Sequence, residues 1–207
     1  MLRLVFYAFI LALASGCAIG NVNSSPSLAK KVQYKHDGSP AITLFTMVNN
    51  KSGGGAHSSL LINASQRVIF DPAGTLKHDI LVERGDVLFG INQKVLDFYT
   101  RAHARQTFHV VLQRIEVTEG VAEMALEMAM SNGAVAPALC AMSTSRLLGK
   151  LSGFEPIRTT YFPQTLRQQF GQLASVKEDA FYEYDNSDKN KALGAFTKEV
   201  SNINGDT

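Results

Sequence analysis

Tryptophan is absent from this 207-residue chain, and cysteine occurs only twice. Two thiols exclude a disulfide-stapled scaffold, which needs several pairs to stand in for a core. Charge is scarce: 18% of residues are Asp, Glu, Lys or Arg, and the formal net charge is +2. A balance so near zero gives no electrostatic footprint for nucleic acid, and no nucleic-acid partner is expected. The five His sit at no metal-ligand spacing with Cys or carboxylates, so no metal and no organic cofactor is expected. Long hydrophobic runs are missing too. The apolar run at residues 4–13 falls short of the about 20 residues that a bilayer crossing needs. What the chain does have is a 45% hydrophobic share, enough to build the core of one ordinary domain and to exclude wholesale disorder.

The first residues read as an address. Arg3, the apolar run at 4–13 and the small residues Ala14-Ser15-Gly16 form a secretory signal pattern. Leu13-Ala14-Ser15-Gly16-Cys17 resembles a bacterial lipobox. The resemblance implies a lipoprotein signal peptide over residues 1–16 and acyl chains, palmitate among them, on Cys17 as the new N-terminus. An ordinary signal peptide cut after Gly16 or Ala18 is the alternative. Two or three acyl tails, at ~0.8 kcal/mol per buried CH₂, hold a protein stably on a membrane. Residue 18 is Ala rather than Asp, which resembles the outer-membrane sorting rule of Gram-negative lipoproteins. The expected location is thus the cell envelope, on the outer membrane and facing the periplasm. Residues 17–40 then supply the lipidated Cys and a polar, turn-rich tether.

Residues 41–176 carry the domain. Strands are expected at 41–48, 56–62, 66–70, 86–90 and 107–117 from their β-branched and alternating residues. The pair around Asn63-Ala64-Ser65 reads as a hairpin. Thr118 caps a helix ending at Asn132-Gly133, with Val121, Met124, Ala125, Met128 and Ala129 as its apolar stripe. A second helix is expected over 141–151, closed by Ser152-Gly153. A third opens at Phe162-Pro163 with Leu166, Phe170 and Leu173 on one side. Apart from the strand at 86–90 and the helix start at Phe162-Pro163, residues 72–106 and 153–165 read as loops without a motif. Residues 177–207 hold seven acidic residues against four Lys and read as a polar, partly disordered tail. The fold class is α+β, an antiparallel β-sheet packed against helices.

One thiol remains once Cys17 is lipidated. Cys140 opens the segment Ala141-Met142-Ser143-Thr144-Ser145, at a helix start, where the positive end of the macrodipole lowers a thiol pKa. Its own backbone N–H has no intrahelical partner there and is free to donate to an oxyanion. His57, just after Gly53-Gly54-Gly55, is the best base. Asp71 lies fourteen residues on, across the hairpin, where it can orient the ring. Asp71-Pro72 is also an ordinary turn start, and His78 and His109 are the alternative third members. His103, between Arg101 and Arg105, reads as solvent-facing, and His36 as part of the linker. Ser143 and Ser145 read as helix-surface hydroxyls. An inert buried thiol is the rival reading of Cys140.

Gly55-Ala56-His57-Ser58-Ser59-Leu60, Val68-Ile69-Phe70-Asp71 and Leu139-Cys140-Ala141-Met142 follow one another in the order of circularly permuted papain-like thiol enzymes. Over residues 41–155 the chain resembles the permuted relatives of NlpC-type cell-wall peptidases and the lecithin–retinol acyltransferase-like proteins. The resemblance implies a permuted papain-like order, with Cys140, His57 and Asp71 as catalytic residues. It also implies a lipid-anchored periplasmic cysteine hydrolase of amidase or peptidase type, acting on an amide or ester. Peptidoglycan peptide is the first substrate it suggests and an acyl lipid, taken by a thiol acyltransferase, the second. A non-catalytic envelope lipoprotein that binds a partner is the alternative from another class.

Overall fold

The computed structural model describes residues 23–78 and 80–183, together with 187, 188, 190, 191, 194 and 198. The leader at 1–16 and Cys17 lie outside the described residues. Among the described residues seven strands form one sheet: β1 (Ala41–Asn49), β2 (Gly55–Asn63), β3 (Arg67–Phe70), β4 (Val82–Arg84), β5 (Val87–Phe89), β6 (Phe108–Glu116) and β7 (Lys177–Phe181). Their order is β4-β5-β3-β2-β1-β6-β7, and every adjacent pair is antiparallel. The helices are α1 (Pro26–Lys31), α2 (Gln93–His103), α3 (Glu119–Asn132), α4 (Cys140–Leu148) and α5 (Pro163–Gly171). The class is α+β.

Both faces of the sheet are covered, which explains why β1 is apolar almost throughout. Ile42 and Leu44 enter a core shared with Leu60, Ile62, Phe70, Ala125, Leu148, Leu166 and Phe170. Phe45 and Met47 point the other way, into a second core with Ile69, Leu88, Phe98 and Tyr99. Thus α3, α4 and α5 cover one face and α2 covers the other. A strand buried on both sides reads as a continuous hydrophobic run.

Several expectations are corrected. Residues 93–103, read as loop, form α2, capped by the Asn92 side chain accepting the Val95 N–H at 3.0 Å. The buried face of α3 is Ala122, Ala125, Leu126 and Ala129, and Met124 is exposed. Small alanines let this helix lie close, so the bulky Met side chain is turned outward. The helix that Cys140 opens ends at Leu148, not at 151. Within the stretch read as tether, α1 buries Ala29, and Ser24 donates its N–H to the Glu83 carbonyl at 2.8 Å. The tail begins as β7, paired to β6 with Leu112 opposite Asp179. An edge strand borrows its register from its neighbour's backbone, so its charged and exposed side chains give no strand signal. The remainder of 177–207 lies mostly outside the described residues. Among the described residues, no helix is long and apolar enough to cross a membrane.

The register brings one set of chain segments to one end of the sheet. Val48 faces Gly55, Leu60 faces Phe70 and Phe70 faces Val87, while Asn49 faces Phe108. The start of β2, the end of β3 and the β4–β5 turn therefore meet at that end, with the Asn63–Arg67 hairpin turn at the other.

Candidate active site

Leu60 pairs with Phe70, so the next steps along the two strands carry Ser59 and Asp71 side by side. His57 then reaches Asp71 with Nε2 2.6 Å from Oδ1. The carboxylate accepts this hydrogen bond, so Nε2 carries a proton. That leaves Nδ1 for the Cys140 sulfur, with which the His57 ring is also hydrogen-bonded. Cys140 is the first residue of α4, is 6% exposed and belongs to neither hydrophobic core cluster. The three residues singled out in the sequence are thus joined in one line: carboxylate, imidazole, sulfur.

Charge follows from that line. Burial alone would lower the His57 pKa, but the charge and hydrogen bond of Asp71, with Cys140 behind them, raise it to about 10. Burial pushes the Cys140 thiol up, yet the hydrogen bond and charge of His57 outweigh it. Backbone hydrogen bonds from Ser58 and Ala141 add to this, and the thiol ends below its ordinary range. Burial likewise works against the Asp71 carboxylate, and the charge and hydrogen bond of His57 overcome it and hold its pKa down. The arrangement favours charge separation: a thiol drawn towards its thiolate, beside an imidazolium and in front of a carboxylate.

The approach to α4 also favours nucleophilic chemistry. The chain enters through Ala138 at φ 65°, a left-handed conformation that costs an alanine about 1 kcal/mol. No side chain caps α4. Its first N–H groups are therefore left for the sulfur and for a carbonyl oxygen brought against it.

Three neighbours to which the sequence assigned no part in the site support it. Tyr99, fully buried, places its hydroxyl 3.0 Å from Asp71 Oδ1 and 2.8 Å from Ser59 Oγ. A phenol has one proton to give; it goes to the carboxylate, and the Ser59 hydroxyl donates to the phenol oxygen. Burial first, then the adjacent Asp71 charge, push the Tyr99 pKa well above its usual value, so it remains a neutral donor. His103, expected in solvent, is instead half-buried. Its ring lies 4.4 Å from that of Tyr99 and stacks at 6.3 Å on His57. Its Nδ1 is 2.8 Å from the Tyr99 carbonyl. A signal for this helix exists: Val95, Phe98, Tyr99 and Ala102 stand at i, i+3, i+4 and i+7.

Asp86 is the third neighbour. Gly85 and Asp86 both have positive φ, as a two-residue type I′ hairpin turn requires. The Asp86 carbonyl accepts the Asp71 N–H at 2.8 Å, and its Oδ2 accepts the N–H groups of Ala73 and Val135, each at 2.8 Å. One buried side chain thus fixes both the turn after Asp71 and the loop leading to Cys140. Asp86→Ala is expected to leave two backbone donors without this acceptor and to cost about 2–4 kcal/mol. Urea unfolding checks this, and Asp86→Asn, which keeps an acceptor oxygen, should lose clearly less.

The alternative third members lie elsewhere. His78 Nδ1 accepts the Ile80 N–H at 3.3 Å, and its ring meets Phe98 edge-on. His109 Nδ1 is 2.6 Å from Asn50 Oδ1, with the ring stacked on Tyr182. Ser143 and Ser145 are buried rather than on the helix surface. Ser143 Oγ lies 3.3 Å from Asn132 Oδ1, and Ser145 Oγ accepts the Thr160 N–H at 3.0 Å. Among the described residues no cluster of His, Cys, Asp and Glu is arranged to hold a metal ion. Comparisons of the chain with protein-family models, with curated proteins and with solved structures return no match in any of the three.

Proposed function

We propose that the protein is a thiol hydrolase or acyltransferase of permuted papain-like order, held in the periplasm by lipid on Cys17. The observation that carries the reading is the His57 ring with one nitrogen 2.6 Å from Asp71 and the other edge on the Cys140 sulfur. The chain order His57, Asp71, Cys140 is that of the permuted enzymes.

The Cys140 thiolate attacks the carbonyl carbon of an amide or ester, and the oxygen takes up the negative charge against the N–H groups at the start of α4. As the carbonyl re-forms, the C–N or C–O bond breaks. The His57 imidazolium gives its Nδ1 proton to the departing nitrogen or oxygen. The product is a thioester on Cys140 and a neutral imidazole. Water, or a second acceptor in a transferase, loses a proton to Nδ1 as it attacks the thioester, and thiolate and imidazolium are restored. Asp71 keeps the ring turned so that the same nitrogen serves both steps. No step calls for a metal or cofactor.

The test is incubation of wild type and Cys140→Ala with muropeptides and, separately, with acyl esters. Turnover of either substrate by wild type alone is expected, and the substrate consumed separates peptidase from acyl chemistry. Equal and negligible turnover of both, with Cys140 alkylated no faster than a free thiol, would leave a partner-binding lipoprotein.

A further inference from the structure

The end of the sheet that holds the site also receives the incoming chain. Asn23, the first described residue, accepts the Gly85 N–H on Oδ1 at 2.8 Å, while Ser24 donates its N–H to the Glu83 carbonyl. Followed backwards from Ser24 to Asn23, the chain thus runs along β4 towards the Gly85–Asp86 turn beside Asp71. Six peptide steps separate Asn23 from Cys17, a reach of at most about 20 Å. The nine residues of β1 span roughly 27–30 Å. A lipid on Cys17 is therefore tied to the site end of the sheet by a segment shorter than the sheet itself.

The surface around Cys140 suits that position. Residues 134–139, leading into α4, carry no charge, and Ala134, Ala136, Pro137 and Ala138 are exposed. Tyr161 and Phe162 are 59% and 68% exposed, the largest values among the exposed large hydrophobic residues. They are held firmly there. Thr160 is hydrogen-bonded to Ser145 of α4, and the backbone after Phe162 presses on Gly55, where a Cβ would lie 2.6 Å from the Gln164 nitrogen. Gly55 lies two residues before His57, and the loop 134–139 leads into Cys140. The two aromatics and the uncharged loop thus flank the same pair of residues, and exposed apolar surface there is unfavourable in water alone. At a bilayer interface both rings are favoured, the Phe162 ring among acyl chains and the Tyr161 ring with its hydroxyl at the headgroups.

We propose that the loop 134–139 with Tyr161 and Phe162 is a membrane-docking surface, which seats the end of the sheet that carries Cys140 and His57 on the bilayer that holds the Cys17 lipid. The proposal rests on the lipid anchor put forward above and not on the chemistry of Cys140.

The absence of tryptophan makes a direct test available. The full, lipidated protein carrying Phe162→Trp or, as a control, Met124→Trp is placed in phosphatidylethanolamine–phosphatidylglycerol vesicles with brominated acyl chains. Met124 is exposed on α3, next to Glu123, which binds Ser65 in the turn at the opposite end of the sheet. The Phe162→Trp emission is expected to shift to the blue and lose most of its intensity, while the Met124→Trp emission keeps its own. Equal emission from both, or quenching of Met124→Trp instead, would overturn the proposal. So would a blue shift of Phe162→Trp that needs no vesicles and grows with protein concentration, which would put a second copy of the chain on this surface. A mature mass without acyl chains on Cys17 removes its premise and overturns it as well. Alkylation of Cys140 without vesicles reports on the catalytic reading separately, so either can fail while the other stands.

Discussion

Replacing His57 with Ala is expected to raise the pH midpoint of Cys140 alkylation to about 8.5, the value of an unassisted thiol. At pH 6.5 a thiol of that pKa is roughly 1% thiolate, whereas one whose pKa an imidazolium lowers holds a larger thiolate share. A thiolate of lower pKa is also a weaker nucleophile, which returns part of the gain. With a Brønsted slope near 0.45, each unit by which the midpoint rises above pH 6.5 slows labelling at that pH by a net factor of about 3–4. Iodoacetamide labelling followed by mass spectrometry across pH 5 to 9 measures it. The midpoint is the decisive quantity, because removing a side chain 19% exposed to solvent also opens the path to a sulfur that is itself nearly covered. A wild-type midpoint already at the free-thiol value would show that the imidazole does not charge the sulfur. Turnover, where a substrate is found, should fall by a further factor of about 10²–10⁴ with the loss of the proton carrier.

Asp71→Ala is the substitution expected to cost most in stability. It strips a buried imidazolium of its counter-charge and Tyr99 of its acceptor, and breaking a buried pair from one side costs about 3–5 kcal/mol. Its pH dependence follows from the two shifts. The folded His57 pKa is about 10 against an ordinary 6.5, so between those values the folded state holds a proton that the unfolded chain has lost. The contribution is whole below pH 6.5 and drains away as pH rises towards 10. The folded Asp71 pKa lies below its ordinary 3.8, so on the acid side the contribution is lost as pH falls beneath that value. The difference in unfolding free energy between wild type and Asp71→Ala should be largest near pH 4–6.5 and should shrink above it. Urea titrations at pH 5.5 and pH 9.5 decide the matter; a gap that is the same at both would show that His57 does not carry the charge assigned to it.

The parts of this molecule that announce themselves in sequence are those whose side chains carry the pattern. The β2–β3 hairpin is flanked by β-branched residues, and its turn at Asn63-Ala64-Ser65 sets the register that brings Asp71 to His57. Thr118 caps α3 and Pro163 opens α5 as expected. Cys140 stands at a helix start because the loop before it offers no helical stripe. What stayed hidden depends on contacts between distant segments. Asp86 looks like a turn residue, which it is, and its grip on Val135 spans 49 residues that no local pattern connects. Tyr99 and His103 sit one helical turn apart on α2, a helix whose periodicity was present but lay inside a stretch without a recognisable motif. The alternation along β6 predicted a strand but not that β7 would add to its free edge.

The order of the three reacting groups along the chain sets when they can act. His57 and Asp71 are separated by a single tight hairpin, whereas the sulfur arrives from 83 residues beyond the imidazole, after β4, β5, α2, β6 and α3. Pairings between near neighbours close cheaply and early, and distant ones late. An incompletely assembled chain therefore carries an ordinary, largely protonated thiol, slow towards oxidants and stray electrophiles. Potency is acquired only with docking of α4, so the risk of a highly reactive sulfur is confined to molecules that have finished folding.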